Sequence, residues 1–263
     1  MFDFLNELDN DIRNALMIQL RNLWTHSSTA IEGNTLTLGE TAFVLEEGLT
    51  VSGKPLKDHQ EVVGHARAIE LVYGLIRRGA AITGKDLFDL HRAVQTEQVV
   101  DVYKPVGAWK VDPNSTIIVS GDDQFIFEYA PPKDVPELMD RWMGLFQDTW
   151  RNEQTDREES ISAYVRLHVS FVRIHPFWDG NGRMARLIAN IPVIRAGHPP
   201  LIIPRERRRE YIEALSEYHL AAGTPTKRGD LLPEMPELDS FKMFCENVSA
   251  NKTPSTQRPV TMS

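Results

Sequence analysis

From His175 to Arg186 the chain reads His-Pro-Phe-Trp-Asp-Gly-Asn-Gly-Arg-Met-Ala-Arg, and this segment holds the residue types that a phosphoryl-transfer site needs. Such a site requires backbone donors around phosphates, cations for developing charge, a metal ligand and a base, all in fixed geometry. Gly180 and Gly182 flank Asn181 where the chain must turn into a helix, so unhindered N–H groups can form an anion nest at a positive helix N-terminus. Arg183 and Arg186 then share one helical face at i and i+3, beside that nest. Asp179 is placed to hold Mg²⁺, or Mn²⁺ in its stead, because such a cation takes one or two carboxylates plus phosphate oxygens. His175 is left as the base, and Phe177 alternates inward as an anchor for the loop. Blander readings exist: Asp-Gly-Asn-Gly alone is usually a turn, and a lone histidine is more often structural than catalytic. A dinucleotide-binding fingerprint is rejected because no parallel-strand run precedes Gly180. A calcium loop fails as well, since Arg183 and Met184 fall on ligand and glycine positions.

The elements that must position this loop are mostly helical. Ile12, Leu16, Leu20 and Leu23 follow the helical period, as do Ile69, Val72 and Ile76, and both sets read as core stripes. Thr83 caps a helix carrying Leu87, Leu90 and Val94, and Ile161, Val165, Val169 and Val172 mark the helix that ends at His175. Residues Ser115 to Val119 and Phe125, Phe127 and Tyr129, around Ser120-Gly-Asp-Asp123, break the period and predict a β-hairpin. Pro131-Pro132 closes it, and Asp134 can cap a helix that buries Leu138, Trp142, Leu145 and Phe146. Pro233 to Pro236 separates a last amphipathic stretch ending near Val248, and residues 251–263 read as a disordered polar tail. The expected fold class is all-α, a multi-helix bundle with one β-hairpin. Its expected segments are N-terminal helices over 1–50, a central domain over 51–220 with the hairpin at 115–129 and the loop at 175–186, and a C-terminal helical extension over 221–250.

At 263 residues, 41% apolar and 25% charged, the composition is that of a soluble globular protein with a real core. No run approaches eighteen apolar residues and the start is acidic, so neither a membrane span nor a secretory leader is expected and the location reads as cytoplasmic. A single cysteine, Cys245, excludes an intrachain disulfide and a cysteine-built metal site. The net charge of −8 argues against non-specific nucleic-acid binding. Arg205, Arg207, Arg208 and Arg209 interleave with Glu206 and Glu210, which suits a solvated helix start better than a phosphate contact.

The pattern His-x-Phe-x-Asp-Gly-Asn-Gly-Arg-x-x-Arg over 175–186 resembles the signature of Fic-domain proteins, and its specified positions would coincide by chance about once in 10⁹ windows. Gly53-Lys-Pro-Leu-Lys-Asp58, Leu90-His-Arg92, Gly107-Ala-Trp109 and the hairpin also look like the family, so the resemblance covers roughly residues 25–220. It implies the Fic fold and an adenylyltransferase in which His175 deprotonates a Tyr, Thr or Ser hydroxyl of a target protein. That hydroxyl attacks the α-phosphate of ATP, Asp179 holds Mg²⁺, and Asn181 with the nest formed by Gly180 and Gly182 stabilises phosphate charge. Arg183 and Arg186 hold the β- and γ-phosphates, and Tyr211 matches a position used against adenine. The hairpin is the flap, with Ile117, Ile118 and Val119 docking the target backbone by β-augmentation. A homodimer is implied too. Pro192 departs from the pattern and should kink the helix after Arg186.

Ser28-Thr-Ala-Ile-Glu-Gly-Asn34 resembles the family's N-terminal inhibitory motif, of the class II type. By that resemblance Ser28, Glu32, Gly33 and Asn34 form a brake in which Glu32 pairs with Arg186 and misplaces the γ-phosphate. The alternative for Glu32 is only to end a short helix capped by Gly33. Glu32 also offers a second chemistry, aligning water to remove AMP from a modified target. The competing functions are transfer of another phosphate-containing group (UMP, phosphoryl or phosphocholine) on the same loop, and a non-catalytic, toxin-like binding module.

Overall fold

The computed structural model describes residues 5, 8–96, 101–120, 123–152 and 156–250. Helices α1 (Asn10–Ile31), α2 (Leu38–Glu47), α3 (Leu56–Arg78) and α4 (Gly84–Val94) lead to a hairpin of β1 (Ser115–Ser120) and β2 (Asp123–Glu128). Helices α5 (Val135–Arg151), α6 (Arg157–Ile174), α7 (Asn181–Ile188), α8 (Asn190–Arg195), α9 (Arg208–Ala222) and α10 (Pro236–Ala250) follow. The fold is mainly helical, as the periodicity predicts. The hairpin is antiparallel with Ser115 opposite Glu128 and Ser120 opposite Asp123; the two tip residues, 121 and 122, lie outside the described residues, as does the expected tail at 251–263.

Helix α6 runs through the middle, buried on nearly every side between α5, α7, α8 and α10. Its apolar residues therefore surround it instead of lying along one stripe. Asp156 caps it by accepting from the Glu159 N–H at 2.8 Å, and Trp142 of α5 fixes its middle by donating to the Leu167 carbonyl at 3.1 Å. One apolar cluster runs from Trp24 through Ile69, Leu87, Trp142 and Phe177 to Phe241 and Val248, so the N-terminal and C-terminal helices share the core of the central segment. No helix among the described residues is long and apolar enough to cross a membrane.

Local signals act where the chemistry says they should. Thr83 and Asp86 form a reciprocal capping box at α4. Two expectations need correction. The first half of α1 is not a core stripe: Ile12 is 50% and Leu23 42% exposed, and burial begins only at the turn containing Trp24. Asp134 does not cap α5, because the chain enters that helix through the 3-10 turn Pro132–Asp134 and the carboxylate pairs with Lys227 at 3.3 Å. Pro192 interrupts the helix after Arg186 as expected: it has no N–H for the Ile188 carbonyl four residues before it, α7 ends there, and the chain resumes as α8 through Ala189, still right-handed helical at φ −66° and ψ −22°.

Five histidines are held neutral in the interior. Burial is the first cause at each: it pushes His91 down to about 4 and His175 and His219 to about 3, and holds His65 and His168 well below the usual imidazole range. The unfolded chain binds these protons near pH 6.5 and the folded chain does not, so their contribution to stability is intact above that pH and lost as pH falls below it. Each such group adds a slope of about 1.4 kcal/mol per pH unit between its unfolded and folded values. The urea midpoint is expected to drop steeply from pH 7 to pH 5; a flat profile would contradict this protonation scheme.

Candidate active site

His175 ends α6 in a left-handed conformation, with φ 54° and ψ 59°, and is the one non-glycine residue with positive φ among the described residues. Such a backbone costs about 1–3 kcal/mol for a residue with a side chain and tends to persist at functional sites. Its ring lies face to face with Tyr129 just beyond β2, centroids 3.7 Å apart, and Nδ1 is 3.2 Å from the Val172 carbonyl. With the proton on Nδ1 in that contact, the lone pair is on Nε2. Burial first, and the Lys110 ammonium second, keep the imidazole unprotonated at neutral pH. The side chain has the state and the free nitrogen of a general base.

The loop after it is pinned from several directions. Phe177 is fully buried, stacked on His91 at 3.9 Å and flanked by Trp109 at 5.2 Å. His91 accepts from the Gly107 N–H at 2.8 Å through Nδ1, so Nε2 carries the proton and donates to the Asp179 carbonyl at 3.1 Å. Leu90-His-Arg92 and Gly107-Ala-Trp109 thus meet at the loop. Asn181 brackets the Phe177 peptide, accepting from its N–H at 2.9 Å and donating to its carbonyl at 2.8 Å. Its side-chain amide thus serves the loop with one of its two N–H donors and its oxygen, beside the backbone N–H at the open end of the helix. Asn114 also donates to the Phe177 carbonyl, at 3.0 Å. Asn181→Ala therefore orphans one buried N–H, the carbonyl keeping Asn114, and is expected to cost about 1–3 kcal/mol in urea unfolding. An unchanged midpoint would return the amide to phosphate binding.

Gly180, at φ 78°, is the N-cap of α7, and the first helical bond runs from the Met184 N–H to the Gly180 carbonyl at 2.9 Å. The N–H groups of Asn181, Gly182 and Arg183 precede that bond and form the open positive end of the helix. A Cβ on Gly182 would come within 2.6 Å of Glu32 Oε1 and 3.1 Å of Arg186 Nη1, so the cradle exists because that position carries no side chain. Asp179 accepts from the Gly180 N–H at 2.7 Å with Oδ1, while Oδ2 is 3.5 Å from Arg183 and half in solvent. Burial pushes this carboxyl up, but Arg183 and the Gly180 N–H prevail and hold it below its ordinary value. Arg183 is buried between Asp179 and Glu61, the latter at 3.7 Å.

Arg186 is enclosed by α1 and α9. Its Nη2 donates to Glu32 Oε1 at 2.6 Å and to the Ser28 carbonyl at 2.9 Å, and its Nε donates to Ser28 Oγ at 3.0 Å. Burial opposes the charge, yet Glu32 outweighs it and the guanidinium is held more firmly protonated than usual. Glu32 is the C-cap of α1, a helix of 22 residues and not a short one. Gly33, at φ 100°, turns the chain away, and Asn34 fastens it to α3 by donating to the Asp58 carbonyl at 2.9 Å and to Glu61 at 3.0 Å. Ser28 and Glu32 therefore lie against the cradle, and Gly33 and Asn34 lead the chain from there to α3.

The matched sequence and the matched shape agree. The Fic/DOC family profile matches residues 81–192. A protein adenylyltransferase fic-1 from Caenorhabditis briggsae is 32% identical over 213 residues, 80% of this chain and 38% of that one. A protein adenylyltransferase Fic from Nematostella vectensis is 35% identical over 193 residues, 73% of this chain and 42% of that one. The crystal structure of a Fic-domain-containing signaling protein from Bacteroides thetaiotaomicron superposes with a TM-score of 0.77 at 26% identity, covering 94% of this chain and 92% of that one. Residues 81–192 form a Fic/DOC domain. The chain spans about two fifths of the length of the curated relatives it matches.

Strand β1 of the hairpin alternates in exposure. Ile117 and Val119 are 65% and 64% exposed, whereas Ile118 is 4% exposed and faces inward, so the three do not present one surface. Beneath β1 a cavity of about 580 Å³ opens toward α9, lined by Ile118, Arg208, Ile212, Ser216 and Leu220 among others. Tyr211 is elsewhere: 1% exposed, its hydroxyl is 3.3 Å from Arg186 Nη1 and 3.0 Å from His168 Nε2. The expected adenine contact is thus corrected, because no face of that ring is open to a base. The sequence reading also passed over Lys110, Asn114 and His168. Lys110 is buried, donates from its backbone to the Pro176 carbonyl at 2.9 Å and from Nζ to Asn114, and so ties the entry of the flap to the loop. Its nearness to Gly107-Ala-Trp109 was the only available signal.

Proposed function

We propose that this chain is a protein adenylyltransferase, moving AMP from ATP onto Tyr, Thr or Ser hydroxyls of target proteins and of itself. The observation that carries the reading is the unprotonated His175, its Nε2 free, on the same short loop as the open N–H cradle of α7. The Nε2 lone pair takes the hydroxyl proton, the hydroxyl oxygen bonds to the α-phosphorus, and the bond from that phosphorus to the bridging oxygen breaks to release pyrophosphate. The N–H groups of Asn181, Gly182 and Arg183 offset the charge on the phosphate oxygens, and Arg183 and Arg186 hold the β- and γ-phosphates. Names of the relatives as protein adenylyltransferases support the reading.

Asp179 is the residue that would hold a divalent cation. No group of three or more His, Cys, Asp and Glu side chains gathers among the described residues, and a single half-exposed carboxylate suits Mg²⁺ or Mn²⁺, whose other ligands are phosphate oxygens and water. When bound, the cation neutralises charge on the polyphosphate. The nucleoside is assigned to the cavity between β1 and α9, on Ile212 and not on Tyr211. The exposed strand β1, with Ile117 and Val119 outward, is where a target strand adds by main-chain pairing.

Incubation with α-labelled and γ-labelled ATP tests the reading. Label from the α-phosphate alone should enter protein, whereas γ-label would indicate phosphorylation and no label from either a binding module. One observation favours a second activity: the Glu32 carboxylate, 38% exposed, overhangs Gly182 at the cradle, where it can orient water against a bound phosphodiester. AMP release from a purified modified target, lost in Glu32→Gly, would establish that hydrolysis.

A further inference from the structure

Arg186 is gripped from two directions, and the grips are not equivalent. Ser28 and Glu32 hold it from α1, the element that stands in the way of a nucleotide. On the opposite side Nη1 donates to the Tyr211 hydroxyl at 3.3 Å, and the guanidinium carbon lies 5.7 Å from the centre of the tyrosine ring. The hydroxyl is 3.0 Å from Nε2 of His168, in the middle of α6. His168 is fully buried, and burial together with the nearby Arg186 charge keeps it neutral. Arg186 donates to the Tyr211 hydroxyl, and the hydroxyl shares a second hydrogen bond with His168 Nε2 whose direction is set by the imidazole tautomer.

We infer that Tyr211 and His168 are positioning residues that keep the Arg186 guanidinium aimed at the polyphosphate after Glu32 has released it. This rests on the nucleotide-binding role proposed above and gives Tyr211 a place in it. Glu32 competes with the phosphate for Arg186 through Nη2, whereas Tyr211 is buried and holds Nη1. Helix α10 braces the file from behind. Phe241 stacks on His168 with centroids 5.4 Å apart and packs on Tyr211 at 6.1 Å, and Phe244 meets Tyr211 at 6.3 Å. An arginine already fixed in orientation loses little freedom when phosphate arrives, which is the value of preorganised donors at a site of developing charge. The C-terminal helix thereby contributes to a site made of residues more than fifty positions upstream.

Calorimetric titration with ATP and with AMP, on Glu32→Gly protein with and without Tyr211→Phe, reads this directly. Removing the hydroxyl while keeping the ring should weaken ATP about tenfold, the usual scale for a hydrogen bond to a charged group. AMP, which lacks the phosphates Arg186 meets, should change less than twofold. His168→Leu should reproduce the ATP-selective loss and His168→Gln, which retains a hydrogen-bonding group, should restore most of the affinity. Equal weakening of ATP and AMP would place Tyr211 at the nucleoside and overturn the inference, as would an ATP affinity that Tyr211→Phe leaves unchanged. If the ATP-selective loss is found in protein that transfers no label, the transferase reading fails while the role of Tyr211 stands.

Discussion

Glu32→Gly is expected to raise AMP transfer to protein, self-modification included, by about a hundredfold. The magnitude follows from the proposed brake: with Glu32 at 2.6 Å from Arg186, the cation that would receive the γ-phosphate is already paired, and ATP would enter displaced. An in-line attack tolerates little displacement, and an error near one ångström costs about 10² in rate. Glycine at this C-cap removes the carboxylate with little demand on the helix, because the Glu32 backbone, at φ −86° and ψ 2°, suits any residue. The increase should appear in kcat more than in ATP affinity, since the obstacle is pose. Equal labelling by both forms would sink the idea that Glu32 is a brake, whatever the chain transfers.

His175→Ala should remove labelling by about 10²–10⁴-fold, the range that a positioned general base supplies, in both the native and the Glu32→Gly background. Two effects combine. Alanine cannot take the hydroxyl proton, and it takes away the partner on which Tyr129 stacks, loosening the flap against the loop. His175→Asn separates them, since it keeps a planar group beneath Tyr129 and a side chain tolerant of the left-handed backbone while lacking basicity. Activity surviving in His175→Asn would mean that the ring serves only packing.

The loop from His175 to Arg186 was legible because its chemistry is local: glycines mark a turn, arginines at i and i+3 share a face, and the chain must turn into a helix where the glycines flank Asn181. The contact of Glu32 with Arg186 was legible only through resemblance, since 154 residues separate the two. Roles set by packing were not legible. Asn181 stands in the nest, yet its amide turns back onto Phe177, a choice made by the burial of that peptide. Tyr211 has the right type for a base contact and was misread because only the fold shows α9 turning it beneath Arg186. The stripe from Ile12 to Leu23 has core periodicity, yet Ile12, Leu16 and Leu23 are exposed, and periodicity records a face without saying what covers it.

The bonds that Arg186 makes to Ser28 and Glu32 tie the last turn of α1 to α7. If a nucleotide takes that guanidinium, the end of α1 and the γ-phosphate become antagonists for one cation, and linkage makes the antagonism mutual. Whatever factor ATP imposes on the docking of α1, the docking of α1 imposes on ATP. Backbone amides around Ser28 should then exchange faster with ATP bound than with AMP, and any influence that tightens that helical end would reach the nucleotide as weaker binding without touching it.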